Sequence, residues 1–221
     1  MYHKRYPKSP SVRQHGVFMF RFSFLMLLLF AASHAFATTW NVDTEHSNVT
    51  FTVRHFVSRV SGVFNDFNGS IVFDSDKPEN SNVKFEVNTE SVYTAHKARD
   101  EHLRSSAFFD SDKYKKAYFY SKKIMPAGKG LFKIEGVLEI RGIEKPVNLD
   151  VEYLGTAKDL KGANRSGFTA KTQLKRSDFG LTWNQITEAG LPVLGDEVEM
   201  QFNISLVEFN PLEAKKPSSA H

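Results

Sequence analysis

The chain has 221 residues and a formal net charge of +4, with 20 Phe, 2 Trp and no Cys. The lack of Cys excludes a fold held by disulfide bonds, so the protein depends on an apolar core for its stability. The first 37 residues hold five of the 29 basic residues and none of the 25 acidic ones, so residues 38–221 carry a net charge of −1. The basic balance of the whole chain therefore does not indicate a nucleic-acid-binding protein.

Residues 1–37 have the pattern of a secretory signal peptide. Basic residues precede an apolar run, 22–32, which is shorter than the roughly 20 residues needed to cross a bilayer. Ala35 and Ala37 then occupy the −3 and −1 positions of a signal-peptidase site. We therefore expect cleavage near Ala37-Thr38 and export to the periplasm, with either Met1 or Met19 as the start.

Most of residues 38–210 alternate between apolar and polar side chains, which is the period of a strand with one buried and one exposed face. The clearest segments, in chain order, are 47–55, 83–88, 131–140, 146–153, 167–174 and 197–209, and weaker ones lie near 60–67, 69–74 and 117–124. Eight or nine antiparallel strands predict a single barrel or sandwich, and a Lys- and Glu-rich exposed face favours a water-soluble one. The polar residues 211–221 are expected to form a flexible tail.

Only residues 94–107 break this alternation, and they predict one short α-helix of two to three turns. Ala95, Ala98, Arg99, His102 and Leu103 share one stripe of that helix, while oppositely charged residues four apart share the other side. We expect the stripe to face the barrel.

The sequence contains no HExxH, GxSxG or GxGxxG motif and no Cys pair. His96 and His102 are six residues apart, on nearly opposite sides of a helix, so they cannot bind one ion together. We therefore expect no catalytic residue, no metal and no cofactor. The Phe-rich apolar face indicates either a packed core or a ligand cavity, because a barrel of eight strands is wide enough for both.

Several segments, in order, resemble the YceI-like family of periplasmic, lipocalin-like, polyisoprenoid-binding proteins. They are 40–74, 91–110 with its Arg-Asp-x-His-Leu and Phe-Phe-Asp motifs, 136–149 with Arg-Gly and Lys-Pro-Val, 175–181 and 195–206. The chain departs from the family pattern after Arg54-His55, where Phe56 and Arg59 fill positions that are often small. This departure bears on the shape of the barrel rim.

The resemblance implies an all-β fold, an antiparallel eight-stranded lipocalin-like barrel over residues 38–210 with one short helix near its mouth. It implies a binder that carries or sequesters a long-chain amphiphile, such as a polyisoprenoid, an isoprenoid quinone or a similar lipid, and that is not an enzyme. The expected partners are an isoprenoid or acyl lipid and, in a possible homodimer, a second copy of the chain.

The ligand's head group is expected to meet polar side chains at the barrel mouth, namely His55, Arg99, His102, Arg176, Trp183 and Asn184. Its tail is expected to lie against apolar residues that face inward, namely Val49, Phe51, Val53, Phe64, Phe85, Val87, Phe119, Phe132, Ile134, Leu138, Ile140, Phe168, Val198, Met200, Phe202 and Ile204.

Competing interpretations remain open for four of the polar residues near the mouth. Arg99 would pair with a carboxylate such as Asp178, and Asp100 would pin or cap the helix. His55 would be a satisfied core imidazole, and Arg176 would organise a turn together with Asp178. Two other functions also remain open. One is a hydrolase or isomerase that acts on such a lipid through His55, Asp100 and His102; the other is a filled barrel that binds a protein partner.

Overall fold

The computed structural model describes residues 38–74 and 76–210, together with Met1. The predicted signal peptide and tail lie outside the described residues, so both stay predictions. No helix within the described residues is long and apolar enough to span a membrane.

A single antiparallel sheet contains every named strand of the described residues. In chain order, the strands are β1 (Thr38–Val42), β2 (Asn48–His55), β3 (Ser58–Phe64), β4 (Phe67–Phe73), β5 (Asn82–Asn88), β6 (Val92–Tyr93), β7 (Lys116–Gly128), β8 (Leu131–Ile140), β9 (Ile143–Lys158), β10 (Asn164–Lys175) and β11 (Leu194–Glu208). The α-helix α1 is Lys97–Arg104, and short 3-10 helices are Thr44–His46, Pro78–Asn80, Thr89–Ser91 and Arg176–Phe179.

The first six strands work as three interrupted strands, each made of two successive segments. β2 pairs with β3 while β1 pairs with β4, and β4 then pairs with β5 while β3 pairs with β6. Together with β7 to β11 they make eight strand positions. Because β11 pairs with both β1 and β2, the sheet closes on itself. The predicted eight-stranded antiparallel barrel with one helix is confirmed, and the sandwich is excluded.

The helix α1 has eight residues, about two turns, and lies within the segment 94–107, in agreement with the predicted two to three turns. His96 caps its first turn, since the His96 Nδ1 accepts a hydrogen bond from the Arg99 backbone N at 3.3 Å. Ser105 is extended and ends the helix, and tight turns follow it up to Tyr114. The helix lies where the strands β6 and β7 separate, at the barrel end that also carries the β2–β3 turn.

Two side chains of α1 fix it to the barrel. The Asp100 carboxylate is buried and accepts hydrogen bonds from the Thr94 backbone N at 2.8 Å and from its hydroxyl at 2.5 Å. Arg104 donates to the backbone carbonyls of Glu90 and Val92 at 2.7 and 2.9 Å. Asp100 therefore pins the helix, as one of the competing interpretations held.

One close approach inside the barrel requires glycine. A Cβ at Gly136 on β8 would lie 2.4 Å from Phe119 Cε2 and 2.7 Å from the carbonyl oxygen of Tyr120. Phe119 points into the barrel and Tyr120 O belongs to the β7 backbone, so neither gives way easily.

We expect Gly136→Ala to lower the free energy of unfolding by about 1–3 kcal/mol, the usual effect of overpacking. Denaturant titration measures the change. Gly167→Ala on β10 is the matched control, because its nearest side-chain atom is 3.4 Å away. A Gly136→Ala variant as stable as the Gly167→Ala variant would contradict this reading.

Asp100→Ala should lower the free energy of unfolding by about 1–3 kcal/mol, because it leaves the buried N–H and hydroxyl of Thr94 without an acceptor. Hydrogen exchange should show faster exchange across α1 than in the native chain. Glu101→Ala removes the neighbouring, exposed carboxylate and should change neither quantity much. Equal effects of the two substitutions would show that Asp100 does not anchor the helix.

Candidate ligand-binding cavity

The barrel encloses a cavity of about 530 Å³. Several side chains that point into it, such as Phe85, Leu138 and Met200, are only half-buried although they face the interior. Inward-facing apolar side chains keep accessible surface only when the interior is incompletely filled. The barrel is therefore hollow, and the filled-barrel interpretation loses its structural basis.

The predicted tail-contacting residues all line this cavity except Val49. Val49 is fully buried between Phe64 on β3 and Phe202 on β11, its partners across the strands. It belongs to the buried cluster that includes Trp40 and Leu206, against which Leu103 of α1 also packs. Its alternation with Phe51 and Val53 is regular, but alternation identifies the inner face of a strand and not the depth along it.

Other lining residues were not among the predicted ones, namely Val60, Ile71, Phe73, Val83, Val147, Leu149, Val151, Leu174, Phe108 and Phe109. Val147, Leu149 and Val151 continue the alternation of segment 146–153, so the pattern could have identified them. Phe108 and Phe109 lie in turns after α1, where no period applies. Only their place in the Phe-Phe-Asp motif marks them.

The basic residues that line the cavity gather at the end that carries α1. They are His55 at the end of β2, His96 and Arg99 and His102 on or next to α1, and Arg176 after β10. The walls below them are lined mainly by Phe, Val, Ile and Leu. The cavity is thus an apolar tube with a cationic end, which suits an amphiphile with a polar or anionic head.

Arg99 is bound to the segment before its own helix. Its Nε donates to the Thr94 hydroxyl and its Nη2 to the Thr94 carbonyl, both at 2.7 Å. The suggested pairing with Asp178 is wrong, because Asp178 is exposed and no ion pair joins the two in the described part of the chain. The Nη1 group of Arg99 has no hydrogen-bond partner among residues 38–74 and 76–210.

Arg176 holds together the segment between β10 and β11. Its Nε donates to the Gly195 carbonyl at 2.8 Å, and its Nη1 donates to the carbonyls of Leu181 and Trp183. The turn-organising interpretation of Arg176 therefore describes most of its contacts. Nη2 makes no hydrogen bond to any described residue.

The charge of Arg176 has no counter-charge in contact. Burial lowers the pKa of its guanidinium, and Asp196 is near enough only to oppose that shift partly. No carboxylate forms an ion pair with it among the described residues, since Asp196 is bound to Ser177 instead. A buried charge without a partner is costly. An anionic or dipolar group in the cavity would reduce that cost.

His102 and Trp183 form the rim together. Their rings meet edge to face at 4.6 Å, and Phe108 packs against both at 5.0 and 5.4 Å. Asn184 is not among the residues that line the cavity. Its side-chain Nδ2 donates to the Leu194 carbonyl at 2.7 Å, and its Oδ1 accepts from the Leu194 backbone N at 2.9 Å. The prediction placed it at the rim because it follows the turn at 176–181 together with Trp183, but its amide group is taken up by Leu194 at the start of β11.

The groups suggested for catalysis are not assembled. Asp100 does not line the cavity, and its carboxylate is bound to Thr94. No hydrogen bond joins Asp100 to His55 or His102 within the described residues.

Asp43, Glu45 and His46 place potential metal-ligand atoms within 4.8 Å of one another, and none of the three lines the cavity. The Asp43 carboxylate is already bound to both Arg165 and His46. Burial alone would raise the pKa of Asp43, but these two partners outweigh it and hold that pKa below its ordinary value.

Comparison with known proteins places the chain among relatives of the same architecture. Residues 40–206 match the family profile of the YceI-like domain. Protein YceI of Escherichia coli O17:K52:H18 is 38% identical over 157 residues, which cover 70% of this chain and 82% of the relative.

Two solved structures share the fold. The crystal structure of the Campylobacter jejuni YCEI protein has 30% identity and a TM-score of 0.62, covering 70% of this chain and 88% of that one. A Saccharophagus degradans domain, described as polyisoprenoid binding, has a TM-score of 0.57 at 16% identity and covers 78% of this chain and 99% of that one. At that identity the last match concerns the fold alone. The chain described here belongs to the YceI-like family.

Proposed function

We propose that this protein binds a long-chain amphiphile of the isoprenoid type in its barrel, and that it carries or sequesters this lipid in the periplasm after export. The observation that carries the proposal is the hollow, apolar interior with basic side chains at one end. The polyisoprenoid-binding description of the Saccharophagus degradans domain agrees with it. The cavity itself supports an amphiphile with a long apolar tail, and that description favours one of the isoprenoid type.

The energetics favour such a ligand. Each CH₂ group transferred from water to an apolar site contributes about 0.8 kcal/mol, so a long tail supplies most of the binding free energy without specific contacts. The lining side chains come from strands all around the barrel, so they can surround a tail completely. Phe rings form the wall of the cavity far from α1. The Phe73 ring packs edge to face against Phe168, with ring centres 5.1 Å apart, and against Phe132, with ring centres 6.0 Å apart.

The cationic end favours an anionic head group. Arg99 and Arg176 each retain one nitrogen without a hydrogen bond in the described residues, and both line the cavity. Guanidinium groups bind phosphate and carboxylate oxygens through charge-assisted hydrogen bonds. The proposed orientation therefore places the head at α1 and the tail toward Phe73.

Export to the periplasm rests on the signal-peptide pattern of residues 1–37. A binder in that compartment needs no catalytic group, and the separation of Asp100 from the cavity gives a hydrolase or isomerase no support. Carriage and sequestration differ in how readily the lipid leaves.

Protein purified without detergent should show a lipid adduct by native mass spectrometry. Ala170→Leu on β10 adds bulk inside the cavity and should lower lipid occupancy on the order of tenfold, since an overfilled site costs about 1–3 kcal/mol. Lys171→Leu, the next residue on the outer face, is the matched control. Bare protein in every sample, with no uptake of added polyprenyl lipid, would refute the proposal.

Arg99→Gln should weaken binding of a polyprenyl phosphate on the order of tenfold, the usual range for one charged hydrogen bond. Binding of the polyprenol with the same tail should hardly change. Lys97→Gln removes a fully exposed charge on the same helix and serves as the control. Equal losses for phosphate and alcohol would place the head group away from Arg99.

A further inference from the structure

Two turns at the cavity mouth expose large apolar side chains. Phe56 and Val57 form the turn between β2 and β3, with 51% and 88% of their surface exposed. Ile186 and Leu191 lie in the segment before β11 and are 63% and 61% exposed. We call these four residues the mouth tip.

Hydrogen bonds join the two turns into one unit. The Phe56 backbone N donates to the Val193 carbonyl at 2.6 Å. Arg54 spans both turns, donating to the carbonyl of Phe56 at 3.0 Å and to that of Pro192 at 3.4 Å. Ile186 and Pro192 are in turn paired by an isolated β-bridge. The two turns of the mouth tip are therefore held in a fixed position relative to each other.

The backbone of Phe56 is in an unfavourable conformation. Its φ is 52°, in the left-handed region that suits Gly or Asn and is rare for a bulky side chain. The exposed ring gains little from packing that would offset this strain. Backbone strain that packing does not offset is common at functional sites. The strained backbone of Phe56 therefore indicates a function for its exposed ring.

The mouth tip is continuous with the cavity. His55, next to Phe56, and Val193, next to Pro192, both line the cavity. A long apolar ligand that left this mouth into water would lose the burial that holds it. Direct contact between the mouth and the phase that dissolves the ligand avoids that exposure.

We propose that the mouth tip inserts into the surface of a lipid bilayer, so that the ligand passes between bilayer and cavity without crossing water. The proposal rests on the proposed function for its cargo, whereas the docking itself rests on the four exposed side chains and their position. Apolar side chains on an otherwise polar surface bind membranes in proportion to the apolar area they bury.

The charges near the tip argue for apolar insertion over electrostatic attraction. Arg59 is paired with Glu199 at 2.5 Å, and Glu188 lies in the second turn. Arg54 has no ion-pair partner in the described part of the chain, so the balance is close to neutral. Four side chains on two turns present a small tip, which fits a deformable bilayer better than the broad, complementary surface of a protein partner or a second copy.

The chain has no Cys, so single-Cys variants can each carry one environment-sensitive dye. Val57→Cys places the dye at the mouth tip. Leu160→Cys is the control, because Leu160 is fully exposed in the β9–β10 turn at the opposite end. With phosphatidylcholine vesicles, with or without phosphatidylglycerol, the dye at 57 should brighten several-fold and shift to the blue, at low and high salt. The dye at 160 should not respond.

A second pair of variants removes the apolar side chains themselves. Phe56→Ser with Val57→Ser should abolish co-flotation with vesicles and slow lipid transfer to acceptor vesicles by tenfold or more. Leu154→Ser with Leu160→Ser removes equally exposed side chains elsewhere and should change neither. Thermal unfolding should be similar for both, because none of the four is in the core.

Three results would overturn membrane docking. The first is that the dyes at 57 and 160 respond to vesicles alike or not at all. The second is that the tip variant abolishes a concentration-dependent dimer seen by light scattering. The third is that the dye at 57 responds only to membranes that contain proteins. Native mass spectrometry of the tip variant separates this from the proposed function. Bound lipid without docking contradicts only the membrane proposal, and docking without bound lipid contradicts only the lipid-binding one.

Discussion

The pairing of β11 with both of the first two strands is the interaction on which the rest of the structure depends. Leu206 lies opposite Val42 on β1, and Met200 lies opposite Phe51 on β2. This register turns an open sheet, which would expose unpaired edges, into a closed barrel. The inward-facing residues of all strands then surround one common interior. A ring of eight strands encloses more space than these side chains fill.

The two ends of that barrel are built differently. Toward one end, Trp40 on β1 and Leu206 on β11 belong to a buried apolar cluster. Near the same end, Arg165 binds both Asp43 and Asp159 and so ties β10 to the segments that follow β1 and β9. At the other end, α1 and the segment held by Arg176 leave a polar opening. This asymmetry gives the cavity a direction, and a direction is what an amphiphile needs.

Much of the fold can be read from the period of the sequence. Alternation at Phe51 and Val53, at Ile134 and Leu138, and at Met200 and Phe202 identifies the inner faces, since burial on one face of a strand demands it. The break at 94–107 identifies the helix and its length of two to three turns. The residues at which it begins and ends depend on His96 and Ser105, which act as caps through side-chain and backbone geometry that no period encodes.

The candidate site is less predictable, for physical reasons. Alternation does not say how deep a residue lies, so Val49 was grouped with the cavity. Side-chain direction in irregular segments depends on individual hydrogen bonds, so Asn184 turns to Leu194 and Arg99 turns to Thr94, away from Asp178. Whether the core is filled depends on the sum of all inward volumes against the barrel's size, which requires coordinates.

The closure between β1 and β11 also has a consequence for folding. It joins Trp40 to Glu208, residues near the two limits of the described fold, and such distant contacts form late because a long loop must close first. The earlier strands can assemble as neighbouring hairpins, but the interior stays open to water until this last seam forms. The cavity can therefore be complete only after the last strand, β11, has joined both β1 and β2.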